Sequence, residues 1–162
     1  MFLCRPTALP VFLLLIWPAL ATDQQLAELQ RRFGLQRDPV RRAQFFSKKL
    51  GPALISAVAD LYRSGPLDAA NARVQSYVEQ VAHLSDELNR AVRDPERHVG
   101  GFKQLELHLR NALLRLRDVS ASLPFSDRDQ LKKQIDRLER IHSDLFAKLF
   151  PRTPRTEKER PR

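Results

Sequence analysis

The sequence predicts an all-α fold: an antiparallel bundle of four long helices, formed by two αα-hairpins, with a short extra helix at the N-terminus. Two observations support this prediction. Apolar residues recur every three or four positions along each long segment, which is the period of one helix face. Short segments that contain proline separate these stretches. Because an amphipathic helix buries its apolar face only against a partner, the four stretches are expected to pack on one another.

Residues 1–21 are expected to form a secretory signal peptide. Arg5 precedes an apolar run centred on residues 11–17, and Ala19 and Ala21 fit a cleavage site after Ala21. An uncleaved membrane anchor is the alternative. The apolar run covers residues 8–21 and is shorter than the roughly 20 residues that a spanning helix needs, which favours cleavage. Cys4, the one cysteine of the chain, would leave with the signal peptide, so the remaining protein would have no disulfide.

Residues 22–36 are expected to form a short helical arm. Thr22 and Gln25 have the spacing of a helix N-cap and its reciprocal partner, and Gly34 can end the helix. A short helix gains little stability by itself, so this one must pack on the main domain or fray. Its apolar stripe consists of Leu26, Leu29 and Phe33.

The main domain is predicted to span residues 37–150 and to begin with a helix at Asp38-Pro39, an N-cap followed by proline at the first helical position. The apolar stripe of this helix passes Gly51-Pro52 without losing phase. Two alternatives stay open: Pro52 breaks the segment into two helices, or one helix continues with a kink. Ser64-Gly65-Pro66 ends the segment. The stripe consists of Val40, Ala43, Phe46, Leu50, Leu54, Val58 and Leu61.

The next helix is predicted from about Leu67 to Val92. The turn before it has only three residues, so the helix must return antiparallel to the preceding one. The apolar residues of this segment form almost a strict heptad seam, as in a coiled coil. They are Leu67, Ala70, Val74, Tyr77, Val81, Leu84, Leu88 and Val92.

The segment from Arg93 to Gly101 is predicted to be the longest break between the strong helices, and the central helix follows it from Phe102 to Leu123. Pro124 closes this helix. Its apolar stripe is Phe102, Leu105, Leu109, Leu113, Leu116, Val119 and Leu123, and the other faces are assigned to Lys103, Glu106, Arg110, Arg117 and Asp118.

The last helix is predicted to start with a capping box, in which Ser126 and Asp129 satisfy each other's backbone N–H groups. Pro151 stops the helix. Residues 151–162 lack aliphatic side chains and are expected to form a disordered basic tail. The stripe of the last helix is Leu131, Ile135, Leu138, His142, Leu145 and Leu149, flanked by Ile141 and Phe146.

The segments DPVRRA at 38–43 and LYRSG at 61–65, followed by Ala70 and Tyr77, resemble a pattern of bacterial exported helical-hairpin proteins of unknown function. The part from Phe102 to Arg128 is similar to the second half of such proteins. The resemblance covers residues 37–150 and depends mostly on helix caps and turns. It implies a helical extracytoplasmic domain and assigns no catalytic residue.

Motifs for catalysis or cofactor binding are absent from the sequence. It has no paired histidines at zinc-binding spacing, no nucleophile elbow around a serine and no glycine-rich phosphate loop. We therefore predict no enzyme activity, no cofactor, no metal and no catalytic residue. The alternative is a metal-binding or enzymatic helical bundle with a site near His108 and His142, which the predicted second hairpin brings to similar heights, with Glu106 or Glu139 nearby.

Positive charge is the informative property of the predicted surface. The chain has a net charge of +9, and most of the excess lies between residues 31 and 49 and in the tail. We expect an exported protein of the periplasm or the extracellular space, an interaction or scaffold protein of the bacterial cell envelope that binds an anionic surface or an acidic protein partner. Nucleic acid is not an expected partner, and solubilising charge is the alternative explanation. The expected contacts are Arg31, Arg32, Arg41, Arg42, Lys48, Lys49, Arg152 and Arg155.

Overall fold

The computed structural model describes residues 17–91 and 99–150. Over these two ranges the chain is all-α, as predicted, and contains no strand. Its helices are α1 (Trp17–Gly34), α2 (Pro39–Phe45), α3 (Gly51–Ser64), α4 (Leu67–Ala91), α5 (Val99–Ser122) and α6 (Arg128–Leu149). A π-helical turn, Phe46–Leu50, joins α2 to α3, and a 3₁₀ turn, Phe125–Asp127, precedes α6. The predicted signal-peptide core and the predicted tail lie outside the described residues.

The predicted helix start at Thr22 is wrong, because α1 runs through this position from Trp17. The predicted cleavage site after Ala21 therefore lies inside a helix. The rest of the stripe behaves as expected: Leu26 is buried in the core, and Leu29 and Phe33 pack against it. The Phe33 ring lies 5.7 Å from that of Phe46, so aromatic packing attaches α1 to the π-helical turn.

The predicted start at Asp38-Pro39 is confirmed, since the Asp38 carboxylate accepts a hydrogen bond of 2.7 Å from the backbone N–H of Arg41. The continuous-helix alternative at Gly51-Pro52 is also confirmed. Residues Phe45, Phe46, Leu50 and Gly51 all have right-handed helical dihedrals, so no break separates α2 from α3. A π-helical turn directly before the proline re-routes the backbone hydrogen bonds where Pro52 cannot donate one.

Hydrogen bonds define how α4 is oriented against the first helices. The Tyr62 hydroxyl donates to the Asn71 side chain at 2.7 Å, close to the turn at Gly65. At the other end, Arg42 near the start of α2 reaches Glu87 near the end of α4, at 3.0 Å. The two segments therefore run antiparallel, as the short turn predicts. The predicted end of α4 at Val92 lies outside the described residues.

The assignment of Gly100-Gly101 to a break is wrong, because both glycines lie within the first turn of α5. Gly101 is buried. A Cβ atom there would lie 3.1 Å from Leu88 Cδ2 and 3.3 Å from Val40 Cγ1. Since glycine has no side chain, it allows the start of α5 to approach α2 and α4 closely.

The predicted capping box before α6 is also wrong. Asp127 takes the N-cap position without a side-chain cap, and the Ser126 hydroxyl donates to the Asp127 carboxylate and accepts no backbone N–H of α6. Arg128 stabilises this turn from the other side. Its guanidinium donates to the backbone carbonyl of Leu123 at 2.7 Å and to that of Ala121 at 3.1 Å, which satisfies acceptors at the end of α5.

Helix α5 packs against α2, the π-helical turn, α3, α4 and α6. All seven residues of its predicted stripe are buried. Hydrogen bonds that connect the first pair of long helices to the second include Arg115 to Ser56 at 3.2 Å and Lys148 to Asn89 at 2.5 Å. Gly101 lies beside Val40 and Arg115 beside Ser56, so α5 runs parallel to the segment of α2 and α3. Glu106 meets His142 and Arg117 meets Glu139, so α6 runs antiparallel to α5.

Candidate functional site

Arg31 and Arg32 at the end of α1 both bind one carboxylate. The Nε of Arg31 lies 2.8 Å from Glu28 Oε2, and the Nε of Arg32 lies 2.7 Å from Glu28 Oε1. Hydrogen bonds from Arg31 and Arg32 lower the pKa of Glu28 to about 2. The carboxylate therefore stays ionised and offsets part of the positive charge that the sequence assigns to this segment.

Arg42 has a structural position between three helices. Its guanidinium lies 4.7 Å above the centre of the Phe33 ring of α1 and 3.0 Å from the Glu87 carboxylate of α4. Both members of the ion pair are about one-quarter exposed, at 28% and 24%. A guanidinium held between a ring face and a carboxylate has less freedom to meet an external anion.

Arg41, Lys48 and Lys49 form the exposed part of the predicted basic cluster, and we call them the basic face. Within residues 17–91 and 99–150, none of the three side chains makes an ion pair. Arg152 and Arg155, the remaining expected contacts, lie outside the described residues. Among the described members of the predicted set, Arg31, Arg32 and Arg42 are thus ion-paired, whereas the basic face makes no ion pair within the same ranges.

A buried hydrogen bond between Tyr77 and His108 lies beside the π-helical turn. Tyr77 is fully buried and lies 2.9 Å from Nε2 of His108, which is only 7% exposed. Burial lowers the pKa of His108 to about 4 and raises the pKa of Tyr77. At neutral pH the imidazole is therefore uncharged, and its Nε2 atom shares a hydrogen bond with the Tyr77 hydroxyl whose donor is set by the imidazole tautomer. The Phe46 ring packs edge-on against the imidazole at 5.6 Å.

Glu106 is the second buried polar group, and its assignment to an outer face of the helix is wrong. The carboxylate is 3% exposed and lies 2.6 Å from Arg110 and 3.0 Å from His142 Nε2. Its environment satisfies the requirement that a buried carboxylate has charged or hydrogen-bonding partners. Its burial follows from the position of α5, which packs against α6 on one side and against α2 and α3 on the other.

The structure brings His108 and His142 to different environments. The imidazole of His108 faces Tyr77 and Phe46, whereas that of His142 faces Glu106 and Phe146. No partner is common to the two histidines in these contacts. In the part of the chain that the structure describes, no group of three histidine, cysteine, aspartate or glutamate side chains is placed to hold a metal ion.

An open groove runs along the C-terminal half of α6, and the sequence alone did not predict it. Its volume is about 550 Å³, and its lining is mostly apolar. The rings of Phe146 and Phe150 pack 4.8 Å apart and remain 45% and 59% exposed. The sequence did contain one signal for this groove. Phe146 and Phe150 are four residues apart, and the core stripe of the last helix is already formed by other residues. The groove is lined by His142, Ser143, Phe146, Ala147 and Phe150.

Comparisons with known proteins identify no relative: no protein-family model, no curated protein and no solved structure matches the chain. Among the helices of the described ranges, none has the length and apolar character needed to cross a membrane.

Proposed function

We propose that this chain is an exported, non-enzymatic interaction protein of the bacterial cell envelope, and that its basic face binds an anionic surface. In this proposal the four long helical segments form an antiparallel bundle of two αα-hairpins, which acts as a rigid scaffold. One observation supports the binding role most directly: Arg41, Lys48 and Lys49 are exposed on a well-packed helical segment and have no anionic partner among the described residues.

The local helix geometry holds these cations on the outside of the molecule. Phe46 and Leu50 of the same segment are fully buried and anchor the π-helical turn in the core. Arg41 lies on α2, and Lys48 and Lys49 lie in the π-helical turn that directly follows it, at most eight residues further along the chain. Because the backbone beneath them is packed, the three charges stay close together before any ligand arrives.

The paired cations contribute less in this proposal. Glu28 offsets the charge of Arg31 and Arg32, and Glu87 offsets that of Arg42. Arg152 and Arg155 remain expected contacts. The proposed binding therefore depends mainly on Arg41, Lys48 and Lys49. An experiment can distinguish the effect of these three residues from the effect of the net charge of the protein.

The test compares two triple variants with the same change in net charge. Arg41→Gln/Lys48→Gln/Lys49→Gln removes the basic face, and Lys132→Gln/Lys133→Gln/Arg137→Gln removes three exposed cations of α6. Binding is measured by co-sedimentation with phosphatidylglycerol vesicles at low and at physiological salt. A basic residue near an anionic membrane contributes about 1 kcal/mol, so the first variant is expected to lose roughly 100-fold in affinity.

The control variant is expected to bind within about threefold of the parent protein, because its cations lie on another helix. Binding by the parent protein should also weaken as salt rises, since exposed charges are screened beyond about 8 Å at physiological ionic strength. If both variants lose the same affinity, only net charge matters and the basic face is not a binding site. If the parent protein does not bind at low salt, the cations serve solubility.

A further inference from the structure

Exposed large apolar side chains lie on α5 and at the C-terminal end of α6. Of the seven such residues in the described chain, Leu107 and Leu114 lie on α5, Phe146 lies on α6, and Phe150 directly follows α6. Single exposed apolar residues are normal on a protein surface, whereas a group of them marks an interaction site. We call these four residues, the groove along α6 and the hollow beside Leu114 the α5/α6 groove.

The residues of the α5/α6 groove follow the period of both helices. Leu107 and Leu114 are seven residues apart on α5, and Phe146 and Phe150 are four apart at the C-terminal end of α6. Leu114 borders a hollow that it shares with His142, and His142 in turn lines the groove beside Phe146 and Phe150. The groove on α6 and the hollow between the helices therefore meet at His142 and Ser143.

Cations accompany the apolar residues on the α5 side. Lys103, Arg110 and Arg117 are exposed and spaced by seven, so they alternate with Leu107 and Leu114 along the same face. Two of the three are oriented by carboxylates: Arg110 lies 2.6 Å from the buried Glu106, and Arg117 lies 2.7 Å from Glu139. Glu106 and Glu139 offset part of the charge of Arg110 and Arg117, whereas Lys103 makes no ion pair among the described residues. The guanidinium groups are 54% and 55% exposed and keep further N–H donors for a partner's carboxylate.

We propose that the α5/α6 groove binds an amphipathic helix of a partner protein. The apolar side of the partner helix would pack on Phe146, Phe150 and Leu114, and acidic residues along one of its edges would contact Lys103, Arg110 and Arg117. The hollow between α5 and α6 beside Leu114 continues into the groove on α6 and favours a third helix as the occupant, because helices pack with their ridges in such grooves. The row of cations on one edge determines the charge of the partner by complementarity.

This proposal does not depend on the proposed function. The basic face lies on α2 and the π-helical turn, whereas the groove lies on α5 and α6. The first site is tested with vesicles and changes at Arg41, Lys48 and Lys49, and the second with a peptide and changes at other residues. Failure of one test therefore leaves the other result unaffected.

The probe is a fluorescent peptide of about 18 residues that has leucines at helical spacing and glutamates along one flank. A second peptide carries lysines in place of the glutamates. Phe146→Ser/Phe150→Ser removes the apolar part of the groove, and Leu35→Ser/Phe125→Ser is the matched control at two exposed apolar positions elsewhere. Fluorescence anisotropy is expected to show that the groove variant binds the acidic peptide at least roughly tenfold more weakly, while the control variant binds like the parent protein.

A charge reversal tests the orientation of the partner. Lys103→Glu/Arg117→Glu should lower the affinity for the acidic peptide and raise the affinity for the lysine peptide, because the edge of the groove then attracts the opposite charge. Circular dichroism checks that each variant keeps its helices.

Four results would overturn the proposal. The first is equal affinity of the parent protein for the two peptides, and the second is an equal loss of affinity for the acidic peptide in the groove variant and its control. The third is weaker binding of the groove variant to phosphatidylcholine vesicles while its affinity for the acidic peptide is unchanged. The fourth is conversion of a dimer to a monomer by Phe146→Ser/Phe150→Ser in sedimentation. The third result would mean that the face contacts a bilayer, and the fourth that it is covered by a second copy of this chain.

Discussion

At Gly51 the absence of a side chain makes room for a buried imidazole. A Cβ atom built there would lie 2.4 Å from His108 Nε2 and 2.7 Å from its Cε1 atom, both far inside van der Waals contact. The backbone at Gly51 is ordinary right-handed helix, so glycine is required for space and not for its dihedral angles. The ring cannot move away freely, because Tyr77 and Phe46 hold it.

Gly51→Ala is therefore expected to lower the free energy of unfolding by about 1–3 kcal/mol, the usual cost of overpacking a core. Gly34→Ala is the matched control, since nothing lies within 4 Å of a Cβ atom there. Urea denaturation measures both. Equal stability of the two variants would show that His108 relocates at no cost.

The burial of His108 predicts a pH dependence of stability. Its pKa in the folded protein is about 4, below the ordinary value of 6.5, so the unfolded chain binds this proton more readily than the folded one. The contribution of the uncharged His108 to the free energy of unfolding is complete above pH 6.5 and is lost as the pH falls toward 4. It amounts to about 3 kcal/mol, because each pKa unit corresponds to about 1.4 kcal/mol.

Replacement of the imidazole isolates this contribution. His108→Gln should lose less stability than the parent protein between pH 7 and pH 4, whereas His83→Gln, at an exposed position, should keep the parent's pH dependence. Urea denaturation across this range provides the comparison. A His108→Gln profile parallel to that of the parent protein would contradict the proposed titration.

At the scale of helices, Arg42 connects α1, α2 and α4 through its contacts with Phe33 and Glu87. The sequence alone places Arg41 and Arg42 together as exposed cations, but the tertiary contacts of the two residues differ. The side chain of Arg41 is exposed, and its one contact to the Asp38 cap is made by its backbone N–H group.

Arg42→Gln should therefore destabilise the fold by about 1–2 kcal/mol through the loss of a partly buried ion pair and a cation–π contact. Arg41→Gln should change stability by no more than about 0.5 kcal/mol. Thermal and urea unfolding measure the difference. A double-mutant cycle with Glu87→Gln tests the pair itself: additive effects would mean that Arg42 and Glu87 do not stabilise each other.

At the scale of the whole molecule, the expected export of the chain remains a prediction. It depends on Arg5, on the apolar run at residues 8–21 and on the small residues before Thr22. Because cleavage after Ala21 would cut within α1, the new N-terminus would lie four residues before Leu26, which anchors this helix in the core.

N-terminal sequencing of the protein recovered from the cell envelope should accordingly begin at Thr22. The shortened α1 should still pack through Leu26 and Phe33, so far-ultraviolet circular dichroism of the cleaved protein should remain dominated by helix. Recovery of a full-length product embedded in the membrane would contradict cleavage and favour the anchor alternative.

The sequence by itself determined most of the positions that build the seams of this protein. Periodicity identified every buried residue of the α5 stripe, and it identified Ala43, Phe46, Leu50, Leu54 and Val58 on the segment that crosses the π-helical turn. These predictions succeed because the period of a helix and the chemistry of its first residues are local properties of the chain. The Asp38 cap is an example, since donor and acceptor are three residues apart.

Only the tertiary structure decided which polar residues are buried or ion-paired. Glu106 and His108 are buried because α5 has neighbours on several sides, and a one-face pattern cannot show how many partners a helix will meet. Arg42 is separated from Arg41 by a contact with Glu87, 45 positions away along the chain. The groove beside Phe146 and Phe150 exists because no described helix covers that side of α6. Such features depend on which distant elements meet, and periodicity along a single helix carries no information about that choice.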